Sequence, residues 1–214
     1  MSKFFDIYQA LFSHYGEQHW WPGDSAFEIM VGAVLTQNTS WSNVEKALTN
    51  LKDADVLSAE AIARASPKRL ANWLRPSGYF NVKARRLQSY CQWLLAEGGE
   101  AELARRDTDT LRQELLSVHG VGPETADDIL LYAFGRPVFV IDAYTRRLFS
   151  RLGLIEGDER YEVLRQLFET TLTTDTQLFN EYHALIVIHA KEVCRPTAQC
   201  DQCCLVSQCP SAGH

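Results

Sequence analysis

Cysteines crowd one end of the chain and indicate a metal or iron-sulfur site. Cys91 stands alone, and the last 21 residues hold Cys194, Cys200, Cys203, Cys204 and Cys209. In a reducing compartment such a cluster favours metal or iron-sulfur binding over disulfides. Four of them, spaced Cys194-x5-Cys200-x2-Cys203-x5-Cys209, fit either a 4Fe-4S cluster or a four-cysteine zinc site. Cys204 is an alternative ligand, although its use narrows the last gap to four residues.

A glycine-rich reversal joins two amphipathic segments near the middle of the chain. Residues 108–116 and 123–134 carry apolar residues at helical spacing, and Gly120-Val121-Gly122 lies between them. Two glycines one residue apart permit positive φ and a tight reversal, while the valine plugs inward. The exposed amides of such a helix-hairpin-helix can hold a phosphate without side-chain charge. The alternative interpretation is an ordinary turn between two helices.

The charge balance argues against a nucleic-acid-binding protein if it is taken alone. The chain has 21 Lys and Arg against 27 Asp and Glu, a net charge of −6. A duplex, however, contacts one face of a protein and not the sum of its charges. A phosphate-facing patch, with a mixed helix surface as the alternative, is predicted at Lys83, Arg85, Arg86, Arg146 and Arg147.

Asp142 follows the apolar run 137–141, twenty residues after Gly122, and precedes a new helical segment. An aspartate in that position can be an N-cap. Together with the hairpin, however, the separation resembles the helix-hairpin-helix, glycine/proline-rich loop and aspartate signature of the DNA glycosylase superfamily that contains endonuclease III. The resemblance covers nearly the whole chain and includes residues 35–39, residues 78–84 and the C-terminal cysteines.

This resemblance implies that Asp142 is the catalytic aspartate of an enzyme that breaks N-glycosidic bonds. A fixed carboxylate in a dry cleft stabilises positive charge on the sugar and can orient or deprotonate the attacking water. Bifunctional members resemble Gly-Val-Gly-x-Lys, whose lysine forms a Schiff base. Here that position holds Glu124, so we expect a monofunctional enzyme that leaves the abasic site uncut. Glu124 either acts beside Asp142 or is an acid favoured at a helix N-terminus.

The resemblance also implies a cofactor at the C-terminus. A 4Fe-4S cluster is expected on Cys194, Cys200, Cys203 and Cys209, although the family usually has six residues in the first gap where this chain has five. Zinc is the alternative. Because such a loop has little core of its own, we expect the cluster to contribute folding energy rather than redox catalysis.

An enzyme of this type acts on a nucleotide swung out of the duplex, and it needs a stacking pocket for the base. The pocket candidates, with core packing or a solvated lysine as alternatives, are Trp20, Trp21, Trp41 and Lys191. The residues expected to contact DNA are Gln37, Asn38, Tyr79, Lys83, Gly120, Val121, Gly122 and Thr125.

The segment from Trp20 to Trp41, together with Glu124, resembles the branch of 3-methyladenine DNA glycosylases. An N-alkylated purine is cationic, stacks well on indoles and has a weakened glycosidic bond. We therefore expect an alkylated purine in duplex DNA as the substrate. The alternatives are a glycosylase for uracil, an oxidised pyrimidine or a mismatched base, and a DNA-damage-binding protein without chemistry.

Helical spacing of apolar residues runs through almost the entire chain and predicts an all-α fold. Ser25 and Glu28 predict a capping box, and residues 137–141 read as an extended entry into a helix. We expect two helical lobes with a cleft between them. Residues 20–135 are predicted to form a six-helix barrel ending in the hairpin helix. Residues 1–19 with 136–214 are predicted to form the cluster lobe.

Composition is that of a folded globular protein. The chain has 214 residues, of which 46% are hydrophobic and 22% charged. No apolar run approaches the ~18 residues of a membrane span, and the first residues lack a signal-peptide pattern. We expect a cytoplasmic monomer that works on DNA and has no membrane partner.

Overall fold

The computed structural model of the protein describes residues 2–20 and 23–213. Within these residues the chain forms twelve α-helices and no β-strand, which confirms the all-α prediction. The helices are α1 (Lys3–Tyr15), α2 (Ala26–Thr36), α3 (Trp41–Asp53), α4 (Ala59–Arg64), α5 (Pro67–Trp73), α6 (Phe80–Ala96), α7 (Glu100–Leu103), α8 (Thr108–Ser117), α9 (Pro123–Asp128), α10 (Ala143–Arg151), α11 (Tyr161–Thr171) and α12 (Thr176–Glu192). None of the helices in the described ranges is long and apolar enough to cross a membrane.

The helix predicted over 123–134 changes its winding halfway. After α9 the chain forms a π-helical turn over Ile129–Ala133. The N–H of Phe134 donates to the carbonyl of Ile129 over 3.2 Å. Short 3₁₀ turns occur at Arg75–Ser77, Cys200–Gln202 and Val206–Gln208.

The chain divides into two compact units. Residues 21–136 form one unit, which we call the hairpin unit. Residues 1–20 together with 137–214 form the other, which we call the cysteine unit.

Helix α2 lies at the centre of the hairpin unit. Every residue from Phe27 to Leu35 is buried, and α3, α6, α9 and the π-helical turn pack against this helix. A helix that is apolar on all sides is expected in the middle of a helical bundle. The C-terminal end of α2 is thereby fixed where Gln37 and Asn38 follow.

Ser25 caps α2 as predicted, but the reciprocal half of the capping box is absent. The hydroxyl of Ser25 accepts from the N–H of Glu28 over 3.1 Å. The Glu28 carboxylate instead accepts from the N–H of Asp24 over 3.2 Å and lies 2.7 Å from Nζ of Lys52. Its pairing with Lys52 accounts for the difference, because an ion pair competes with the bond to the Ser25 amide.

Aromatic rings form much of the core of the cysteine unit. Phe139 stacks on Phe168 at 4.4 Å between ring centroids, and Phe4 meets the edge of Phe168 at 4.9 Å. The hydroxyl of Tyr182 on α12 donates to the carbonyl of Phe4 on α1 over 2.6 Å. Offset and edge-on contacts of this kind add about 0.5–1.5 kcal/mol each beyond the area they bury.

Residues 137–141 form neither helix nor strand and lead into α10. Phe139 and Ile141 are buried, and their amides find side-chain acceptors in place of a partner strand. The N–H of Phe139 donates to the Glu169 carboxylate over 3.0 Å, and the N–H of Ile141 donates to the Tyr161 hydroxyl over 3.3 Å. These bonds fix the position of Asp142 at the start of α10.

Candidate active site

Asp142 is the N-cap of α10, and its two carboxylate oxygens have different partners. Oδ1 accepts from the main-chain N–H of Thr145 over 2.7 Å. Oδ2 lies 3.5 Å from Nε2 of His183 on α12. The side chains of Asp142 and His183 are 13% and 8% exposed. Capping therefore occupies one oxygen of Asp142 and leaves the other facing an imidazole in a mostly buried setting.

The environment keeps Asp142 ionised. Burial acts to raise the pKa of its carboxyl, but the interactions with His183 and with Thr145 outweigh burial and lower the pKa below its usual range. A carboxylate that is charged and partly shielded from water is suited to stabilising a developing cation.

The hairpin is built as the glycine spacing predicts, with one difference. Gly120 has φ +90°, and a Cβ there would lie 2.3 Å from Cγ of Arg86. Gly122 has φ −97° and is the N-cap of α9, so only Gly120 needs the left-handed region that favours glycine. The Val121 side chain is buried and its N–H closes the turn onto the Val118 carbonyl at 3.0 Å.

Gln37 ties the end of α2 to the hairpin. Its Nε2 donates to the Gly120 carbonyl and to the hydroxyl of buried Thr125, both at 3.0 Å, and its Oε1 accepts from Arg86. The side chains of Gln37 and Thr125 thus support the hairpin from within the hairpin unit. Both are among the residues that the sequence predicts to contact DNA.

Two other expected DNA-contact residues are exposed and hold a left-handed backbone. Asn38 has φ +54° and Tyr79, which is 71% exposed, has φ +42°. Positive φ is uncommon outside glycine, and it is least expected in a bulky residue such as tyrosine. Tyr79 sits as the N-cap of α6, directly after Gly78.

The prediction that Lys83 faces phosphate is wrong. Its side chain is only 1% exposed, and Nζ donates to the carbonyl of Ser77 over 2.5 Å. Burial, with the nearby charge of Arg86, lowers the pKa of Lys83 to about 8. Lys83 faces inward because α6 turns it toward the 3₁₀ turn that precedes Tyr79. It therefore holds that turn rather than a ligand.

Two further members of the predicted basic patch bind main-chain carbonyls within the cysteine unit. Arg146 donates to Gly157 and Glu159, at 3.1 and 2.8 Å. Arg147 donates to Ala190 and Cys194, at 2.9 and 2.8 Å. Both arginines thus connect segments of the protein.

The pocket candidates fall in different places. In the cysteine unit, Nζ of Lys191 lies 6.0 Å from the ring centroid of Trp20 and 5.9 Å from that of Tyr144. In the hairpin unit, Trp41 starts α3 with its indole against Gly32, where a Cβ would be 3.0 Å away. Trp21 lies outside the described residues. Tyr144, two residues after Asp142, was not singled out from the sequence.

Glu124 is exposed in the first turn of α9, in the hairpin unit. This placement agrees with an acid at a helix N-terminus, where the macrodipole favours negative charge. Its role in chemistry stays a prediction.

The four cysteines of the predicted cluster line one cavity. Cys194, Cys200, Cys203 and Cys209 border a space of about 410 Å³ in the cysteine unit, and Cys204 is not among its lining residues. Burial raises the pKa of the Cys203 thiol, and the neighbouring thiols of Cys194, Cys209 and Cys200 act in the same direction. In the described ranges, no three His, Cys, Asp or Glu side chains are grouped tightly enough to hold a single metal ion.

Polar groups surround the cysteine cavity. Nη1 of Arg151 lies 3.3 Å from Sγ of Cys194, and Nε2 of His189 lies 3.5 Å from Sγ of Cys203. The other ring nitrogen of His189 hydrogen-bonds the Tyr15 hydroxyl at 2.9 Å. These neighbours come from α10, α12 and α1, and the spacing of the cysteines gives no sign of them.

Relatives of the whole chain are known. A protein of Methanocaldococcus jannaschii named as a DNA repair glycosylase is 47% identical over 210 residues, which cover 97% of this chain and 96% of that protein. Endonuclease III of Sulfolobus acidocaldarius is 26% identical over 187 residues, 86% of this chain and 82% of its own length.

Solved structures share the fold. The 3-methyladenine DNA glycosylase of H. pylori bound to 1,N6-ethenoadenine has a TM-score of 0.76 at 33% identity, covering 89% of this chain and 98% of that one. An endonuclease III–DNA complex has a TM-score of 0.84, covers 99% and 97%, and at 21% identity shows the fold alone. The HhH-GPD model of base excision DNA repair proteins matches residues 31–173. The chain therefore belongs to the HhH-GPD superfamily and is a DNA glycosylase of base excision repair.

Proposed function

We propose that this protein is a monofunctional DNA glycosylase that hydrolyses the N-glycosidic bond of an alkylated purine in duplex DNA. The observation that carries the proposal is the Asp142 carboxylate. It is held in its ionised form, it is 13% exposed, and only one of its oxygens caps α10.

In the proposed reaction the bond between the base nitrogen and C1′ of the deoxyribose breaks while a bond from a water oxygen to C1′ forms. Positive charge grows on the sugar as the base departs, and the fixed carboxylate of Asp142 stabilises it. The water gives up one proton, which the carboxylate accepts. A purine alkylated at N3 or N7 is already cationic, so it leaves as a neutral base and needs no general acid. The neutral 1,N6-ethenoadenine must also take up, as it leaves, the proton that the water releases.

Support for an alkylated purine comes from chemistry and from similarity. The H. pylori 3-methyladenine glycosylase, solved with 1,N6-ethenoadenine, is similar over most of both chains. Trp20 and Tyr144 of the cysteine unit are partly exposed aromatic residues near the same Lys191 ammonium. Aromatic faces stack well on a purine and attract a cationic one.

Support for hydrolysis without strand cutting comes from residue 124. A Schiff base needs an amine, and the residue after Gly120-Val121-Gly122-Pro123 is Glu124. The proposed product is therefore an intact strand with an abasic site.

We also propose a 4Fe-4S cluster bound by Cys194, Cys200, Cys203 and Cys209, with zinc as the alternative. The four thiols line one cavity of about 410 Å³, and Cys204 does not line it. When bound, the cluster supplies cross-links that stabilise a segment whose only regular structure is two short 3₁₀ turns.

A lesion panel tests the proposed function. Purified protein is incubated with duplexes that each carry one lesion: 1,N6-ethenoadenine, uracil, an oxidised pyrimidine or a mismatch, with methylated duplex DNA for released methylpurines. We expect alkylated purines to be released by a monomeric protein, and strands to break only after alkali treatment. Release of another base class would replace the substrate assignment. Binding without release of any base would favour a damage-binding protein.

A further inference from the structure

We infer that His183 is a positioning residue that orients the Asp142 carboxylate through its Oδ2 atom. The inference rests on the proposed function, because it assumes that Asp142 acts on the sugar. It concerns a residue that approaches Oδ2, the oxygen of Asp142 that does not cap α10.

One oxygen of the Asp142 carboxylate is fixed by capping, and His183 lies beside the other. The bond from Thr145 N–H fixes Oδ1 at 2.7 Å, but a carboxylate held at one oxygen can still rotate about that contact. Nε2 of His183 lies 3.5 Å from Oδ2, at the long limit of a hydrogen bond. Hydrogen bonds at catalytic groups are often long in the free enzyme and tighten when substrate binds.

The His183 ring is held rigidly by its burial. His183 lies in the stretch from Phe179 to Val187 of α12, where nearly every residue is buried, and its own side chain is 8% exposed. Helix α12 packs against both α10 and α1. A ring enclosed in this way cannot swing far from the residue that begins α10.

Arg147 links α10 to the end of α12. Arg147 of α10 donates to the carbonyls of Ala190 and Cys194 at the end of α12, at 2.9 and 2.8 Å. These bonds keep the spacing of α10 and α12 nearly constant. The separation of His183 from Asp142 is set by the same two helices.

His183 also affects the charge state of Asp142. The interactions with His183 and with Thr145 lower the pKa of Asp142, against the opposing effect of burial. Two other charged side chains on these helices have partners elsewhere: Glu181 accepts from the Gln18 N–H at 2.6 Å, and Arg146 binds the carbonyls of Gly157 and Glu159. For Nε2 to donate, it must carry a proton, which either the Nε2–H tautomer or the imidazolium provides.

The experiment compares three full-length variants. His183→Leu keeps much of the volume but has no donor, whereas His183→Gln places an amide N–H₂ near the position of Nε2. His183→Asn is polar but too short to reach Oδ2. Single-turnover base release is measured on methylated duplex DNA, whose N3- and N7-methylated purines are cationic, or on a 1,N6-ethenoadenine duplex if that is the substrate. Binding is measured separately on a duplex with a tetrahydrofuran abasic-site analogue.

We expect His183→Leu and His183→Asn to slow base release by about 10- to 100-fold, the effect of losing one hydrogen bond to a charged group. Binding of the abasic duplex should change by less than about 2-fold, and His183→Gln should recover most of the rate. In the Leu variant the acid limb of the rate against pH should move to higher pH, because the carboxyl has lost an interaction that lowers its pKa. A purely structural role would not produce that shift.

The outcomes separate this inference from the proposed function. If Asp142→Asn also releases base at the wild-type rate, the proposed function fails. If Asp142→Asn is inactive while His183→Leu keeps the wild-type rate and pH profile, only the role of His183 fails. The role also fails if the Gln variant is as slow as the Asn variant. Should the Leu variant not fold, the comparison of Gln with Asn decides.

Discussion

The guanidinium of Arg147 donates to the main-chain carbonyl of Cys194 over 2.8 Å. It thereby joins α10, which begins directly after Asp142, to the first residue of the cysteine cluster. The candidate catalytic carboxylate and the candidate cofactor site are connected through one helix of nine residues.

Replacing Arg147 with methionine should lower the free energy of unfolding by about 1.5–3 kcal/mol, since hydrogen bonds from a charged donor are lost. Urea denaturation of the purified protein measures the change. The matched control is Arg105→Met, because Arg105 is 76% exposed and pairs with Glu102 in solvent. That change should cost about 0–1 kcal/mol. Equal losses in the two variants would contradict the role given to Arg147.

Asp142→Asn should fold and lose chemistry. Asparagine is a good N-cap, so the bond from Thr145 persists. Without the negative charge, single-turnover base release should fall by about 100-fold or more. Binding of an abasic-analogue duplex serves as the control and should persist. An Asn variant that releases base at the wild-type rate would remove Asp142 from the mechanism.

The same variant carries a prediction about acid stability. The pKa of Asp142 is lowered by folding, so its carboxylate adds stability above the unfolded pKa, and this contribution disappears as pH falls through the folded value. The free energy of unfolding of wild type relative to Asp142→Asn should therefore decline as the pH falls below about 4. Denaturant titrations above and below this pH test the decline. A difference that grows toward acid pH would have the wrong sign.

Lys83→Met should change how stability depends on alkaline pH. The pKa of buried Lys83 falls to about 8, so between that value and its unfolded pKa the unfolded chain binds more protons. The wild type should gain stability relative to the variant by up to about 1.4 kcal/mol per pH unit over that window. DNA affinity should be unchanged, since the ammonium faces the Ser77 carbonyl. Parallel pH profiles, or weaker DNA binding, would contradict this placement.

Cys203→Ala and Cys204→Ala should differ although the residues are adjacent. Cys203 lines the cavity, whereas Cys204 does not, and burial raises the pKa of Cys204 to about 11. Protein purified without oxygen should absorb near roughly 400 nm, and only the Cys203 change should remove that band. Loss of the band in the Cys204 variant would reassign the ligands. Zinc in place of iron on metal analysis would reassign the cofactor.

Glu124→Lys tests the lyase argument directly. A lysine at this position supplies the amine that a Schiff base requires, so borohydride should trap a covalent complex with substrate DNA. Glu124→Gln is the control and should trap nothing, like the wild type. Trapping by the unmodified protein would show that another amine serves as nucleophile.

Helices and their caps could be predicted because they depend on local spacing. The helical spacing of apolar residues predicted α2, the position of Ser25 predicted its cap, and the two glycines predicted the hairpin. The partner of the Glu28 carboxylate could not be predicted from local spacing, because that partner, Lys52, lies on another helix, α3. The prediction that Lys83 faces phosphate failed for a related reason. Lysine is almost never fully buried, and the hydrogen bond to the neighbouring Ser77 carbonyl makes its burial possible here.

For the candidate site, the sequence indicated Asp142 but not the residue beside it. His183 is 41 positions away, on a helix whose apolar pattern predicts only packing in the core. Tyr144 likewise carries no signal except its nearness to Asp142. Partners that come from packing between helices leave no mark in the spacing of either one.

The division of the chain into two units has a consequence for synthesis. The hairpin unit is one continuous stretch, so it can fold as soon as it leaves the ribosome. The cysteine unit consists of the residues before and after that stretch. The hydrogen bond from the Tyr182 hydroxyl of α12 to the Phe4 carbonyl of α1 can form only after α12 has been synthesised. During translation the first helix therefore remains without its partner until almost all of the later residues have been made.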